Sequence, residues 1–176
     1  RMLPSGEMFV DLVAGGGGAS YAVEQATGFA PDVALNHDPV ALAMHALNHP
    51  RTVHLCCDIR EADPRTVCNG RRLGGLWASP DCTHFSRAKG GKPRDTKRRA
   101  LADVVIRWAE DVRPRVIFLE NVEEFQDWGP LDEDGQPIEE RMGEQFDEWV
   151  GKIRALGYVV EWRLLSACEY GAPTTR

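Results

Sequence analysis

The side chain best suited to covalent chemistry lies in a polar loop, Ser79-Pro80-Asp81-Cys82-Thr83-His84-Phe85-Ser86. An apolar run, 75–79, precedes the loop, and a glycine-rich basic stretch follows it. Cysteines set among apolar neighbours are inert core residues, and Cys56, Cys57, Cys68 and Cys168 fit that reading. Cys82 sits among polar residues, which predicts the access that a nucleophilic thiolate needs. A second reactive group, Glu120, ends the apolar run Val116-Ile117-Phe118-Leu119. Partial desolvation there favours the protonated form that a general acid uses, the alternative being a cap for the helix that follows. A third feature is the turn Asp11-Leu12-Val13-Ala14-Gly15-Gly16-Gly17-Gly18-Ala19-Ser20. Glycines after a first strand let the backbone approach a nucleotide closely. The turn lacks the Gly-Lys-Ser/Thr of a phosphate-cradling loop and the last glycine of GxGxxG. A nucleoside without a pyrophosphate suits it better, and a glycine turn with no ligand is the plain alternative.

Groups so far apart in sequence need a scaffold that gathers them. Short apolar runs at 8–14, 32–36, 52–56, 75–79, 116–120 and 158–167 read as strands. Helical spacing falls between them. A short helix follows the glycines over about 19–27, and Asp38-Pro39 supplies the N-cap and first position of the next. Val40, Ala43, Met44 and Leu47 form that helix's predicted apolar face. Another helix starts near Thr96, lined by Leu101, Val104, Val105, Trp108 and Val112. Met142, Phe146, Trp149, Val150, Ile153 and Leu156 line a third, with Gly157 placed to close it. The stretch Gly-Pro-Leu-Asp-Glu-Asp-Gly-Gln-Pro at 129–137 predicts a hairpin-like excursion. Repeated strand–helix alternation implies an α/β fold, a mostly parallel sheet with helices on both faces. Ligands of such sheets bind beyond the carboxyl ends of the strands.

Composition narrows the classes. The 176 residues are 43% hydrophobic and 27% charged, which fits one globular domain and excludes disordered or fibrous chains. No run of about 18 apolar residues could span a membrane, and the start has no secretory h-region. Five cysteines without a CxxC pair argue against a disulfide scaffold or a metal module and for a reducing cytoplasm. The net charge of −6 is uneven: residues 87–99 carry +6 and residues 120–148 carry −11. Screening confines exposed charges to about 8–10 Å, so the local +6 is the better guide to a polyanion partner. Lys97, Arg98 and Arg99 fall in a helix's first turn, where the macrodipole disfavours cations. Phosphate contact explains them, against the alternative of a solvated charged face.

Asp-Leu-Val-Ala-Gly-Gly-Gly-Gly, Cys-Asp-Ile at 57–59, Pro-Asp-Cys-Thr-His-Phe-Ser, Leu-Glu-Asn-Val and Tyr-Gly-Ala-Pro-Thr-Thr-Arg occur in the order and spacing of the cytosine-5 DNA methyltransferases. The chain resembles that family over nearly its whole length, and the segment 80–93 is most similar to phage and actinobacterial members. The resemblance implies the Rossmann-like fold of methyltransferases that depend on S-adenosylmethionine, acting in a bacterial or phage-infected cell. Cys82 resembles the nucleophile that attacks cytosine C6, and Glu120 the acid at N3, with Asn121 holding the loop. Arg176 matches the first of two arginines that hold the catalytic pocket. Val13, Gly15, Gly17, Gly18, Asn36, His37, Asp58 and Ile59 match cofactor-binding positions. Ser86, Arg87, Lys89, Lys92, Arg94, Lys97 and Arg98 match a loop that closes over double-stranded DNA with its cytosine flipped out. No metal is implied, and a monomer is expected.

Three residues depart from the family pattern: Val13 replaces Phe, Asn36 replaces an acidic ribose ligand, and Asp81 replaces Pro. A carboxylate beside Cys82 disfavours the thiolate unless it turns away or pairs with His84 or a loop arginine. The family's tRNA-modifying relatives share these motifs, and a non-catalytic cofactor- or DNA-binding remnant is a further reading. A nicotinamide-dependent oxidoreductase fits poorly, because the third glycine is missing. The resemblance also implies that residues 1–176 are a partial catalytic domain, without the target-recognition region and the C-terminal return segment. Such a piece is expected to be inactive alone and to bind DNA weakly, with strong salt dependence.

Overall fold

A computed structural model of the chain describes residues 6–80, 96–132 and 136–172; the side chains of 96–101 are outside that description. Five strands, β1 (Met8–Leu12), β2 (Val33–Asn36), β3 (Val53–Cys56), β4 (Leu73–Ala78) and β5 (Val116–Leu119), form one sheet in the order β3-β2-β1-β4-β5. Every pairing is parallel. Five helices accompany them: α1 (Gly18–Thr27), α2 (Pro39–Asn48), α3 (Pro64–Cys68), α4 (Thr96–Val112) and α5 (Glu144–Ala155). The strand order reverses at β1. Right-handed crossovers therefore put α1 and α2 on one face of the sheet and α3 and α4 on the other.

Local chemistry sets the helix ends. Asp38 Oδ1 accepts from the Val40 and Ala41 amides at 2.8 and 3.4 Å, and Pro39 occupies the first position of α2. Asp63 and Pro64 repeat this device at α3. Gly157, at φ +94°, follows the end of α5, a left-handed position that glycine takes without strain. The excursion at 129–137 is held by an antiparallel bridge between Leu131 and Pro137.

All five residues of β1 are buried, so it is the central strand in packing as well as in order. Its Phe9 ring lies against Gly75 of β4, where a Cβ would collide with it. On the α4–α5 side, Trp108, Phe125, Phe146, Trp149 and Ile153 fill the core. The Trp149 indole N–H donates to the Ala102 carbonyl at 2.9 Å.

Three expectations need correction. Residues 158–166 join no strand ladder among the described residues, and 167–170 form a 3-10 turn. Tyr158 is tied down by its hydroxyl, which donates to the Pro114 carbonyl at 2.7 Å, and Trp162 by its indole, which donates to Gln126 at 3.1 Å. An apolar run becomes a strand only when it hydrogen-bonds to a partner edge, and this one lies across a cleft from β5 without pairing to any strand among the described residues. Second, the apolar stripe of α2 points outward: Val40, Met44 and Leu47 are 66%, 53% and 84% exposed. The helix instead buries Leu42 and His45, because polar groups waiting beneath it satisfy the imidazole. Third, Met142 is exposed and precedes α5, whose buried face begins at Phe146.

Candidate active site

Because the sheet is parallel, all five strands deliver their carboxyl ends to one edge. Leu12 lies beside Leu35 and Ala78, Ala78 beside Leu119, and Asn36 beside Cys56. The glycine turn after β1, Asn36 and His37 after β2, Asp58 after β3, the loop after Ala78 and Glu120 after β5 therefore share that edge. It flanks the point where the strand order reverses, the position where open parallel sheets bind ligands.

The glycine turn is the best-defined part. Val13 adopts φ +60°, a strained conformation for a β-branched residue that functional sites tend to hold. Gly17 lies at φ +107°, and a Cβ there would fall 2.8 Å from His49 Nε2, so glycine is required. Gly15 and Gly18 are exposed and open, with nothing within 4 Å of where a Cβ would stand. Bare backbone thus faces the strand edge, and the free amides at the start of α1 lie next to it. These features fit a cofactor that needs close backbone approach.

Asn36 is buried and already engaged. Its amide donates to the Ala14 carbonyl at 2.8 Å, and its oxygen accepts from the Asp38 amide at 2.8 Å. It ties the first two loops together, leaving one amide hydrogen for a ligand. His37 is exposed beside it. The Arg60 guanidinium and amide hold the Asp58 carboxyl down at about 2, well below the ordinary carboxylate value. Ile59 is buried in the core, and its carbonyl accepts from Arg107 at 2.8 Å.

Glu120 is exposed, which corrects the expectation of partial desolvation. Beyond it on β5 there is no further strand among the described residues, so no strand among them covers the carboxylate from that side. Asn121 accepts from the Val122 amide at 2.9 Å, and its own amide nitrogen is buried without a partner among the described residues. Cys82, Ser86, Arg87, Lys89, Lys92, Arg94 and Arg176 lie outside the described residues, as do the side chains of Lys97 and Arg98. Of the four cysteines expected in the core, Cys68 is buried and Cys57 half-buried, and burial pushes both thiols up, with neighbouring Cys56 adding to the effect at Cys57; Cys56 and Cys168 are exposed, against that expectation.

Sequence reasoning missed a polar cluster beneath the turn. Buried Ser20 donates to buried Asp11 at 2.7 Å, and His45 Nε2 lies 2.9 Å from the same hydroxyl. Since Ser20 gives its hydrogen to Asp11, its lone pair receives a hydrogen from His45. The other ring nitrogen of His45 shares one hydrogen with His54 Nε2 across 2.8 Å. Asn48 and His49 reach the turn itself, at the carbonyls of Gly16 and Gly17. The Asp38-Pro39 cap, which fixes where α2 starts, was the available signal for these residues.

A parallel sheet with a glycine turn at its reversal point has the Rossmann-type architecture, which binds ligands at that edge. The model for the C-5 cytosine-specific DNA methylases matches residues 8–176, and the chain belongs to that family. It is 30% identical over 172 residues to the type II methyltransferase M.AgeI of Thalassovita gelatinovora, covering 95% of this chain and 37% of that protein. Against M.NgoMIV of Neisseria gonorrhoeae it is 29% identical, with 95% and 48% covered. The chain thus spans less than half of either relative. Among solved structures it resembles a putative DNA modification methyltransferase encoded within an Escherichia coli prophage, with TM-score 0.61, 25% identity, and 84% of this chain and 36% of that one covered. The Entamoeba histolytica methyltransferase EhMeth shares the fold, with TM-score 0.67, 18% identity, and 98% and 51% covered.

Proposed function

We propose that this chain carries the cofactor- and base-handling part of a DNA (cytosine-5-)-methyltransferase. The observation that supports it most is the strand register, which gathers the glycine turn, Asn36, Asp58, the root of the Cys82 loop and Glu120 at one edge of the sheet. S-adenosylmethionine, held by Gly15–Gly18 with His37 and Asp58 nearby, would supply an electrophilic methyl group. Val13, Gly15, Gly17, Gly18, Asn36 and Ile59 shape or brace that pocket.

The chemistry follows from what cytosine lacks. Its C5 is a weak nucleophile. The Cys82 thiolate adds to C6, and Glu120 gives a proton to N3, so the electron pair of the C5–C6 bond becomes available at C5. After C5 has been methylated, loss of its proton to water expels the thiolate, and return of the N3 proton to Glu120 restores the ring. The base must leave the stack first, at a cost of a few kcal/mol. Asn121 braces the loop of Glu120, and Arg176 supports the flipped base. Ser86, Arg87, Lys89, Lys92, Arg94, Lys97 and Arg98 close on the phosphates of double-stranded DNA, with one copy of the protein acting per site.

The test is methyl transfer from labelled cofactor to mixed DNA and to tRNA, using the longest reading frame that contains these residues. DNA labelling that disappears in Cys82→Ser, while cofactor binding persists, supports the proposal. Labelling of tRNA alone, or full labelling by Cys82→Ser, overturns it.

A further inference from the structure

We infer that the C-terminal turn of α2 is a clasp that sets the shape of the glycine turn, with Asn48 and His49 as its positioning residues. The inference rests on the reading above that the cofactor binds at this turn. Asn48 donates its amide hydrogen to the Gly16 carbonyl at 2.7 Å. His49 Nε2 lies 3.1 Å from the Gly17 carbonyl, which also accepts the Tyr21 amide at 2.8 Å. A carbonyl has no hydrogen to give, so His49 carries one on Nε2 and donates it.

The two contacts reach back 32 residues in sequence and end on backbone oxygens of the turn, not on the core. They occupy the carbonyls of the two middle glycines. What the turn then offers a ligand is its remaining backbone, at the open positions of Gly15 and Gly18. A free carbonyl at Gly16 or Gly17 could rotate toward the ligand and repel an electron-rich group there.

The clasp is itself held in place. The His49 ring packs on His45 with centroids 4.8 Å apart, while its Nδ1 makes no hydrogen bond among the described residues and only faces Glu24 of α1 at 3.5 Å. Glu24 also faces Arg51 at 3.7 Å. Below, His45 is anchored to Ser20 and Asp11, so α1, α2 and β1 meet under the turn. Gly17 closes the fit from the other side, because any side chain there would strike the His49 ring. A histidine that only filled the core would not need a donor aimed at this carbonyl, and Asn48 is exposed and fills no core at all.

The test uses the full chain, the probe S-adenosylhomocysteine, and four variants: Asn48→Ala, Asn48→Asp, His49→Leu and His49→Gln. Glutamine places an amide nitrogen near the position of His Nε2, so it restores the bond without the ring. Amide resonances of Gly15–Gly18 are recorded without probe, and probe affinity is then measured by calorimetry. Asn48→Ala and His49→Leu are expected to shift those resonances and weaken binding about five- to tenfold, the scale of one lost hydrogen bond. Asn48→Asp is expected to match Asn48→Ala or be worse, and His49→Gln to recover most of the parent's affinity. Unmoved glycine resonances with unchanged affinity in Asn48→Ala overturn the clasp. So does an affinity in His49→Gln as low as in His49→Leu. If His49→Leu does not fold, the two Asn48 variants decide, since that side chain is at the surface. If the parent binds no probe, the cofactor reading fails, while the glycine resonances still decide whether the clasp shapes the turn.

Discussion

The two flanks of the sheet are built by different means. On the β3–β2–β1 side, side chains bond to loop backbones across the fold: Asn36 to Ala14, Asn48 to Gly16, His49 to Gly17, and Thr52 to the Pro31 carbonyl. On the β5 side, side chains bond to backbone away from the carboxyl edge, Trp149 to Ala102 and Tyr158 to Pro114, and the remaining partners are mostly apolar. A cleft of about 820 Å³ separates β5 from the segment after α5, with Ile117, Leu119, Trp149, Val160 and Trp162 among its walls. Val159 and Leu164 stand exposed there, 90% and 68% accessible. Directional bonds fix one geometry, because a displaced donor leaves a buried acceptor unsatisfied. Apolar contact is less selective, and a strand edge without a neighbour keeps its amides and carbonyls open. The flank with the glycine turn is therefore preformed, while the flank with Glu120 has an edge that another strand could cover.

The most severe way to break this contrast is Trp149→Ala. It removes a buried indole that meets Phe125 edge to face and donates to Ala102. The loss should be about 3–5 kcal/mol, read from urea unfolding. Because the damage is confined to the β5 side, the glycine resonances of molecules that stay folded should not move. If they do, the flanks are not independent.

Ser20→Ala probes the other flank and should cost less, about 2–3 kcal/mol, because a hydrogen bond to a buried carboxylate is lost. Its mark is different. The Gly15–Gly18 resonances should shift, since Ser20 lies in the first turn of α1 just past the glycines. A loss of stability with no change at the glycines would make the Asp11–Ser20–His45 line a core device only.

The same contrast explains what could be read from the sequence. Five strands and their direction follow from apolar runs and intervening helical periods, most clearly for β1, β2 and β4, whose burial on both faces leaves a clear signature. The N-termini of α2 and α3 follow from Asp-Pro pairs. The inner face of α2 was not legible. Its hydrophobic period marks the outward side, and its buried side carries His45 and His49, whose Nε2 atoms find partners 25 and 32 residues away. No local pattern encodes such a pairing. The segment 158–166 departs for a different reason: its composition suits a strand, but it hydrogen-bonds to no strand edge among the described residues. At the site, motif order located the loops, whereas the exposure of Glu120 depends on what lies beyond β5.

A smaller effect is expected where α2 begins. Asp38→Ala removes the acceptor for two amides at the N-terminus of the helix that carries the clasp. The cost should be about 1 kcal/mol, seen as a lower urea midpoint with an unchanged slope. A markedly lower slope would mean that α2 had detached from the sheet, and the preformed flank would depend on one surface cap.

The smallest effect sharpens the comparison at the solvent boundary. The Arg60 guanidinium holds the Asp58 carboxyl at about 2 in the folded chain, against an ordinary value of 3.8. A carboxyl depressed by folding stabilises the protein above its unfolded value, and that contribution disappears as pH falls through the folded one. The Asp58 contribution is therefore complete above about pH 4 and is lost between about pH 4 and 2. The pair lies at the surface, with water and salt screening it, so the gain should not exceed about 1 kcal/mol. Comparing the parent with Asp58→Asn at pH 5 and at pH 2.5 isolates it: the difference in unfolding free energy should be present at the higher pH and shrink at the lower. Raising the ionic strength at pH 5 should shrink it as well. The bonds beneath the glycine turn are buried, so the cost of Ser20→Ala should hold through the same salt series. If both costs fell together, the buried line would be as wet as the surface pair, and the flank would not be preformed in the sense its geometry implies.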